Sequence, residues 1–274
     1  MSTPNPARAG DVNGNLPRIR TALVTGATAG IGNAFARALA ARGSDLVLVA
    51  RDAARLGAVA DQLKAEHGVD VEVLVADLAD REELEQVALR LRDDTRPVDL
   101  LVNNAGFGLT QPFVGGDLAL EERALDVMAR AVLVLSHAAV PGMVARGHGA
   151  LVTVSSVAGF MPSGTYSAVK AWATTFTMSL AGQLAGTGVT ATALCPGYVR
   201  TEFHERANIR RGRTPGFAWL DADQLVADCL ADVERGRSLS IPSVQYKLAV
   251  TSMRHLPLPV VAWFSRGRMR RRAR

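Results

Sequence analysis

The chain has 274 residues, of which 48% are hydrophobic and 21% charged, which is typical of a globular protein with a large core. Its two cysteines, Cys195 and Cys229, give no disulfide framework and favour a reducing, cytoplasmic setting. The net charge is +5, but the closing stretch SRGRMRRRAR holds six arginines and no acid, so the rest is near neutral and no nucleic-acid-binding domain is expected.

From Thr21 onward, short apolar runs rich in β-branched residues alternate with segments of helical periodicity. The predicted strands are 21–25, 45–50, 71–76, 98–104, 149–156, 188–197 and 237–243. The predicted helices between them are 29–43, 52–66, 80–93, 119–146 and 164–185. The strands are near-continuous apolar runs, as expected when both faces of a parallel sheet are buried. This pattern predicts an α/β fold: a doubly wound parallel sheet of about seven strands, with helices on both faces, in a single domain.

Three segments depart from this alternation. Residues 1–18 are polar and rich in Pro, Gly and Asn, which predicts a disordered leader before a domain that spans 19–244. Residues from about 200 to 220 follow the sixth strand at the sheet edge where ligands bind, and are predicted to form a lid. Residues 245–274 are expected to be a C-terminal extension with a basic tail.

The tail leaves two interpretations open. An apolar segment with Trp263 and Phe264 precedes the arginines, and this composition suits weak contact with an anionic membrane surface. The alternative is a frayed, solvated basic end. No uninterrupted apolar run reaches the length that spans a bilayer, so no membrane-spanning helix is expected.

The stretch TGATAGIG lies between the first predicted strand and the first predicted helix. Gly26, Gly30 and Gly32 permit a tight turn and the close approach of a pyrophosphate, and the helix N-terminus supplies unpaired N–H groups. The second strand ends in Ala50 and Arg51, not in the acid that binds a ribose 2′-hydroxyl in an NAD site. The Arg51 guanidinium suits a 2′-phosphate instead. NADP(H) is therefore the predicted cofactor, with NAD(H) as the alternative if Arg51 is only a solvated loop charge.

Tyr166 and Lys170 are four residues apart in a predicted helix and so share one face, a turn apart. The chain has only three tyrosines and, among its 31 basic residues, three lysines, so a chance pairing would be rare. A nearby ammonium lowers the pKa of a phenol, which would let Tyr166 exchange a proton near neutral pH. The alternative is that both side chains only share the surface of a helix and take no part in catalysis.

Several motifs occur in order along the chain: TGATAGIG, Asp77 after the third strand, NNAG at 103–106, Ser156, Tyr166-x-x-x-Lys170 and CPGYVRT at 195–201. Together they resemble the short-chain dehydrogenase/reductase family over roughly residues 18–243. The resemblance implies a Rossmann fold, an NAD(P)-dependent oxidoreductase that interconverts a carbonyl and an alcohol, and a homodimer or homotetramer.

The resemblance also implies residue roles. Ser156 and Tyr166 would hydrogen-bond the substrate oxygen, Tyr166 would pass the proton, and Lys170 would stabilise the phenolate and hold the nicotinamide ribose. Ser155 is the competing candidate for the serine role. No metal site is implied. The implied cofactor-binding residues are Gly26, Thr28, Gly30, Ile31, Gly32, Arg51, Asp77, Leu78, Asn104, Ala105, Gly106, Tyr166, Lys170, Pro196, Gly197, Val199 and Thr201.

The sequence gives a clue to the substrate, and it departs from the family pattern in two places. The expected pocket wall is apolar and predicts an apolar ketone or alcohol; its residues are Phe107, Phe160, Met161 and Phe203. Met128 stands where many relatives have an asparagine that binds a relay water, and the segment between Ser156 and Tyr166 is shorter than in most relatives. A second class of function, a nucleotide-binding sensor or scaffold with little turnover, is favoured only by Met128.

Overall fold

The computed structural model describes residues 19–202 and 216–256. The strands are β1 (Thr21–Thr25), β2 (Asp45–Ala50), β3 (Val71–Val75), β4 (Leu100–Asn103), β5 (Gly149–Val154), β6 (Val189–Leu194), β7 (Tyr198–Val199), β8 (Trp219–Leu220) and β9 (Leu239–Ser240). The helices are α1 (Gly30–Ala40), α2 (Ala53–His67), α3 (Arg81–Leu91), α4 (Leu118–Leu125), α5 (Ala131–Arg146), α6 (Gly164–Gln183), α7 (Ala222–Glu234) and α8 (Val244–His255).

Seven of the strands form one parallel sheet in the order β3-β2-β1-β4-β5-β6-β9. The order reverses between β1 and β4, and in such sheets the crevice at the carboxyl ends beside this point binds the ligand. The predicted doubly wound sheet is therefore confirmed. The remaining pair, β7 and β8, forms a separate two-stranded sheet in which Tyr198 lies opposite Trp219.

The core consists of two apolar layers, one on each face of the sheet. On one face the layer includes side chains of α1, α2 and α7, such as Phe35, Leu56 and Leu230. On the other face it includes side chains of α3 and α5, such as Leu84 and Leu135. Both faces of the strands are buried, which explains why their sequences are continuous rather than alternating apolar runs.

The helix predicted for 119–146 runs without a break from Leu118 to Arg146, with a π-helical turn at Asp126–Arg130 between α4 and α5. It is long and apolar enough to cross a membrane by length and composition alone. Leu135, Ala139 and Met143 are nevertheless buried in the core layer that includes strand residues of the sheet. The helix is thus a layer of the fold, and core helices commonly pass the same test.

The structure differs from the predicted elements mainly at the ends of the strands and after β6. The strands predicted for 98–104, 149–156 and 188–197 end earlier, because their last residues leave the sheet to line the site. The strand predicted for 237–243 shortens to β9, and α7, α8 and the β7–β8 pair have no counterpart among the predicted elements. The predicted leader, most of the predicted lid and the basic tail lie outside the described residues.

Candidate active site

A cavity of about 1100 Å³ runs along the carboxyl edge of the sheet. Its wall includes the loop after β1, the ends of β2 to β5, the start of α6 and the segment after β6. Most of the predicted site residues line it: Gly26, Thr28, Gly30, Ile31, Arg51, Asp77, Leu78, Asn104, Ala105, Gly106, Phe107, Ser156, Met161, Tyr166, Lys170, Pro196, Gly197, Val199 and Thr201.

The loop between β1 and α1 has the shape of a phosphate cradle. A side chain on Gly32 would overlap the Gly26 carbonyl and the Asn104 amide, so Gly32 allows close packing behind the cavity and does not line it. The N-cap residue of α1, Ala29, makes no side-chain hydrogen bond to the helix, whereas α2, α3, α4 and α7 each have an aspartate as the N-cap. The first N–H groups of α1 therefore remain available, and these residues fit a dinucleotide pyrophosphate.

The NNAG segment fastens this loop to the centre of the sheet. The Asn104 side-chain amide donates to the carbonyl oxygens of Thr25, at 2.8 Å, and Gly26, at 3.2 Å. The Thr25 hydroxyl accepts from the backbone N–H groups of Asn104 and Ala105, at 2.9 and 3.0 Å. Asn104 thus positions the turn that would carry the cofactor, in addition to lining the cavity.

Asp77 marks the end of the cavity where the adenine is expected. Its carboxylate accepts from the Arg123 guanidinium of α4 and from the Ala79 N–H. Burial alone would raise the pKa of Asp77, but these two hydrogen bonds and the charges of Arg123 and Arg51 hold it below its usual value. Arg123 lines the cavity but belongs to no sequence motif, so only the fold brings it to this site.

The segment after β6 contacts the phosphate cradle and helix α2. Thr201 lies against Gly30, where an added Cβ would come within 3.2 Å of the threonine Cβ. Glu202 then pairs with Arg55 of α2 at 3.0 Å, and both residues line the cavity. The pair is half-exposed and so contributes little to stability, but it holds the chain across the cavity beside Arg51.

Ser156, Tyr166 and Lys170 meet at the centre of the cavity wall. Tyr166 and Ser156 share a hydrogen bond between their hydroxyl groups. The Lys170 Nζ lies 5.8 Å from the centroid of the Tyr166 ring and donates to the Val154 carbonyl at 2.8 Å. The strand end supplies the serine and the first turns of α6 supply the other two, so the short intervening segment does not separate them.

The pKa of Tyr166 is shifted upward, whereas the sequence predicted a lowered pKa. Burial raises the pKa of the phenol to about 12, and the hydrogen bond from Ser156 offsets this only in part. Burial also lowers the pKa of Lys170 to about 8. The protein alone therefore does not lower the phenol pKa through Lys170. Burial disfavours the charged form of both groups, the phenolate of Tyr166 and the ammonium of Lys170.

Ser155, the competing candidate, faces the opposite direction from Ser156. It is buried, and its hydroxyl donates to the Lys170 carbonyl at 2.7 Å and hydrogen-bonds the Thr174 hydroxyl, also at 2.7 Å. The Thr174 hydroxyl oxygen also lies 3.1 Å from the same carbonyl oxygen. These contacts fix the backbone of α6 at Lys170, and they favour Ser156 for the contact with Tyr166.

Met128 is buried within the π-helical turn. Its thioether lies against Gly106, where an added Cβ would be 3.1 Å from the sulfur and 3.7 Å from the Lys170 Nζ. A thioether is a poor hydrogen-bonding group, so Met128 fills the space beside Gly106 without offering the hydrogen bonds of an amide.

The substrate side of the cavity is apolar, although one predicted residue lies elsewhere. Phe107 and Tyr166 pack against a cluster that includes Leu109 and Val127, and Met161 also lines the cavity. Phe160 does not line it: its side chain packs against the buried cluster Cys195, Ile241 and Val250, because the short turn at Val157–Phe160 points it toward α8. Phe203 lies outside the described residues.

The fold and this site together define a dinucleotide-binding oxidoreductase. The short chain dehydrogenase profile matches residues 20–212. A short chain dehydrogenase of Pseudocercospora fijiensis is 37% identical over 188 residues, which are 67% of this chain and 60% of that protein. The chain therefore belongs to the short-chain dehydrogenase/reductase family, and the predicted class of enzyme is confirmed.

Two solved structures resemble the whole domain. A short-chain dehydrogenase from Sphingobium yanoikuyae in complex with NADPH is 35% identical with a TM-score of 0.79, covering 87% of this chain and 96% of that chain. The bulky-bulky ketone specific alcohol dehydrogenase from Comamonas testosteroni is 30% identical with a TM-score of 0.75, covering 88% of this chain and 100% of that chain.

Proposed function

We propose that this protein is an NADP(H)-dependent oxidoreductase that interconverts an apolar ketone and its alcohol. The observation that carries the proposal is the convergence of Ser156, Tyr166 and Lys170 on one wall of a cavity that continues into an uncapped phosphate cradle. A chain that only bound nucleotide would need the cradle and a lysine at the ribose, but not Ser156 and Tyr166 together beside that lysine.

The residues of the site divide the chemistry among them. The cofactor, held by the loop at Gly26–Gly30 and by Arg51, would supply or accept the hydride. The hydroxyls of Ser156 and Tyr166 bind the substrate oxygen and stabilise the charge that develops on it. Tyr166, neutral because its pKa is about 12, donates its proton to that oxygen. Lys170 then stabilises the phenolate.

NADP(H) is supported by the charges at the adenine end. Arg51 lies at the cavity where a ribose 2′-phosphate is expected, and the neighbouring acid Asp77 is neutralised by Arg123. Arg55 lies a turn further along at the same edge. The relative from Sphingobium yanoikuyae, whose structure contains NADPH, gives independent support.

Replacing Arg51 by alanine is expected to weaken NADPH binding about 10- to 100-fold and to leave NADH binding nearly unchanged, because a charge-assisted bond to phosphate contributes roughly 1.5–3 kcal/mol. Dissociation constants for both nucleotides, from quenching of protein fluorescence, measure this. Arg81→Ala removes the same charge from an exposed position that does not line the cavity, and should change neither constant. A wild-type preference for NADH would contradict the cofactor assignment.

The substrate class follows from the apolar wall around Tyr166. Leu109, Val127, Phe107 and Met161 offer few polar contacts, which suits a ketone whose substituents are bulky and apolar. The alcohol dehydrogenase from Comamonas testosteroni, named as specific for bulky-bulky ketones, supports this choice.

A panel of ketones tests the function directly. Aliphatic, aromatic and polycyclic ketones, with small polar ketones for comparison, would be incubated with NADPH while the reduced-nicotinamide absorbance is followed. We expect turnover that improves with apolar bulk. Tight NADPH binding without turnover of any member would instead favour the nucleotide-binding sensor or scaffold.

Assembly and location are further parts of the proposal. A homodimer or homotetramer is supported by half-exposed Leu125 and Leu133 on the long helix and by the stacked rings of Trp172 and Phe176 on α6, with centroids 4.9 Å apart. A reducing, cytoplasmic location is supported by Cys195 and Cys229, which are both free and buried.

A further inference from the structure

Helix α8 packs against the back of the proposed active site. Its residues Tyr246, Val250 and Met253 belong to one apolar cluster with Cys195, at the end of β6. The same cluster includes Val157 and Phe160, which form the turn between Ser156 and Tyr166. The C-terminal part of the chain therefore contacts both segments that carry the reactive groups.

Within this helix, the Tyr246 ring covers Gly197 of the Pro196–Gly197 turn, which lines the cavity. A methyl group added to Gly197 would overlap the ring carbons of Tyr246. The backbone angles at Gly197 do not require glycine, because this residue is not among those with positive φ. The ring of Tyr246 thus leaves no room for a side chain at this position.

The Tyr246 hydroxyl joins the two ends of the predicted lid. It accepts from the Tyr198 N–H at 3.1 Å, at the start of β7, and donates to the Ala218 carbonyl at 2.8 Å, just before β8. Strands β7 and β8 pair with each other, and residues 200–218 connect them along the chain. One hydroxyl therefore fixes the entry and the exit of this segment relative to Gly197.

We propose that Tyr246 is a positioning residue that sets the substrate side of the active site, by packing its ring on Gly197 and bridging Tyr198 to Ala218. It acts through the Pro196–Gly197 turn and through the paired strands β7 and β8. The proposal rests on the proposed function, since it specifies how that site is held ready for substrate. This segment includes the implied cofactor residues Gly197, Val199 and Thr201, but Arg51 and most of the phosphate cradle lie elsewhere on the cavity wall. The effect should therefore fall on the ketone more than on NADPH.

The first test removes only the hydroxyl. Tyr246→Phe keeps the ring on Gly197 but leaves Tyr198 and Ala218 unbridged, so we expect KM for the ketone to rise about 5- to 20-fold, as the loss of two hydrogen bonds suggests. The NADPH dissociation constant and kcat should change less than about twofold. Lys247→Gln, at an exposed position of the same helix, should behave as wild type. An unchanged KM in Tyr246→Phe would overturn the proposal.

The second test is a double-mutant cycle on the ring contact. Gly197→Ala alone should raise KM strongly, because its methyl group displaces either the ring or the turn. In a Tyr246→Ala background the space is vacant, and the same Gly197→Ala change should then cost less than about twofold. Equal costs in the two backgrounds would show that the ring does not set the turn. Thermal melting of all four proteins identifies any variant that fails to fold.

A third readout does not depend on catalysis. Hydrogen exchange at the Tyr198 amide, followed by mass spectrometry of a peptide that spans 195–202, should be about tenfold faster in Tyr246→Phe than in wild type, because the amide loses its acceptor. Unchanged exchange would overturn the bridge. If exchange accelerates while the wild-type protein reduces no ketone, the proposed function fails but the bridge does not.

Discussion

Tyr166→Phe should lower kcat/KM for ketone reduction by about a thousandfold or more. The substitution removes the proton donor and one of the two hydroxyls that stabilise the charge on the substrate oxygen, and each of these contributions is typically worth about 10²- to 10³-fold. The ring keeps its place in the cluster with Leu109 and Val127. NADPH binding should therefore be nearly unaffected, and steady-state kinetics with fluorescence titration measure both quantities.

Two other variants make this result specific. Ser156→Ala removes the remaining hydroxyl at the substrate oxygen and should cost about 10²-fold in kcat/KM. Tyr246→Phe deletes the same atom from another tyrosine and should act on KM while kcat is preserved. Undiminished reduction by Tyr166→Phe in an otherwise active enzyme would refute Tyr166 as the acid.

Lys170→Met should also reduce kcat/KM, by about 10²- to 10³-fold, because the phenolate formed at Tyr166 loses its neighbouring charge. Unlike most active-site changes, it should make the protein more stable at pH 7. Lys170 is only 6% exposed, and burial lowers its pKa to about 8 from an ordinary 10.5. This shift corresponds to a cost of roughly 3 kcal/mol for burying the charged lysine, which methionine removes. Methionine also loses the hydrogen bond to the Val154 carbonyl, which reduces its gain in stability by about 1–3 kcal/mol.

The pH dependence of stability distinguishes the removal of a buried charge from better packing of the methionine side chain as the cause of the gain in stability. Below about pH 8 Lys170 is charged in both the folded and the unfolded protein, so the whole cost of burying the charge lowers the free energy of unfolding. Between about pH 8 and 10.5 the unfolded state binds more protons than the folded state, so wild-type stability rises relative to Lys170→Met. Urea unfolding of both proteins at pH 7 and pH 10 measures the difference. If the stability difference between Lys170→Met and wild type were the same at pH 7 and pH 10, Lys170 would not be a buried charge in the folded protein.

Local sequence was sufficient for the fold class and for most of the cavity wall. Continuous apolar strands between amphipathic helices require a sheet buried on both faces, and the loop at Gly26–Gly32 and the Tyr166–Lys170 pair each lie within a single element or turn. Such features depend on backbone conformation and on spacing within about one helical turn, which the sequence encodes directly.

The remaining features depend on distances that spacing along the chain does not predict. Arg123 reaches Asp77 across 46 residues, and Tyr246 reaches Tyr198 across 48. Phe160 turns away from the cavity because α8, which the sequence patterns did not predict, offers it an apolar surface. The sequence by itself determined which groups we propose to carry the chemistry. Only the tertiary structure decided their pKa values and which side chains hold them, because burial and packing arise from segments that meet after the chain has folded.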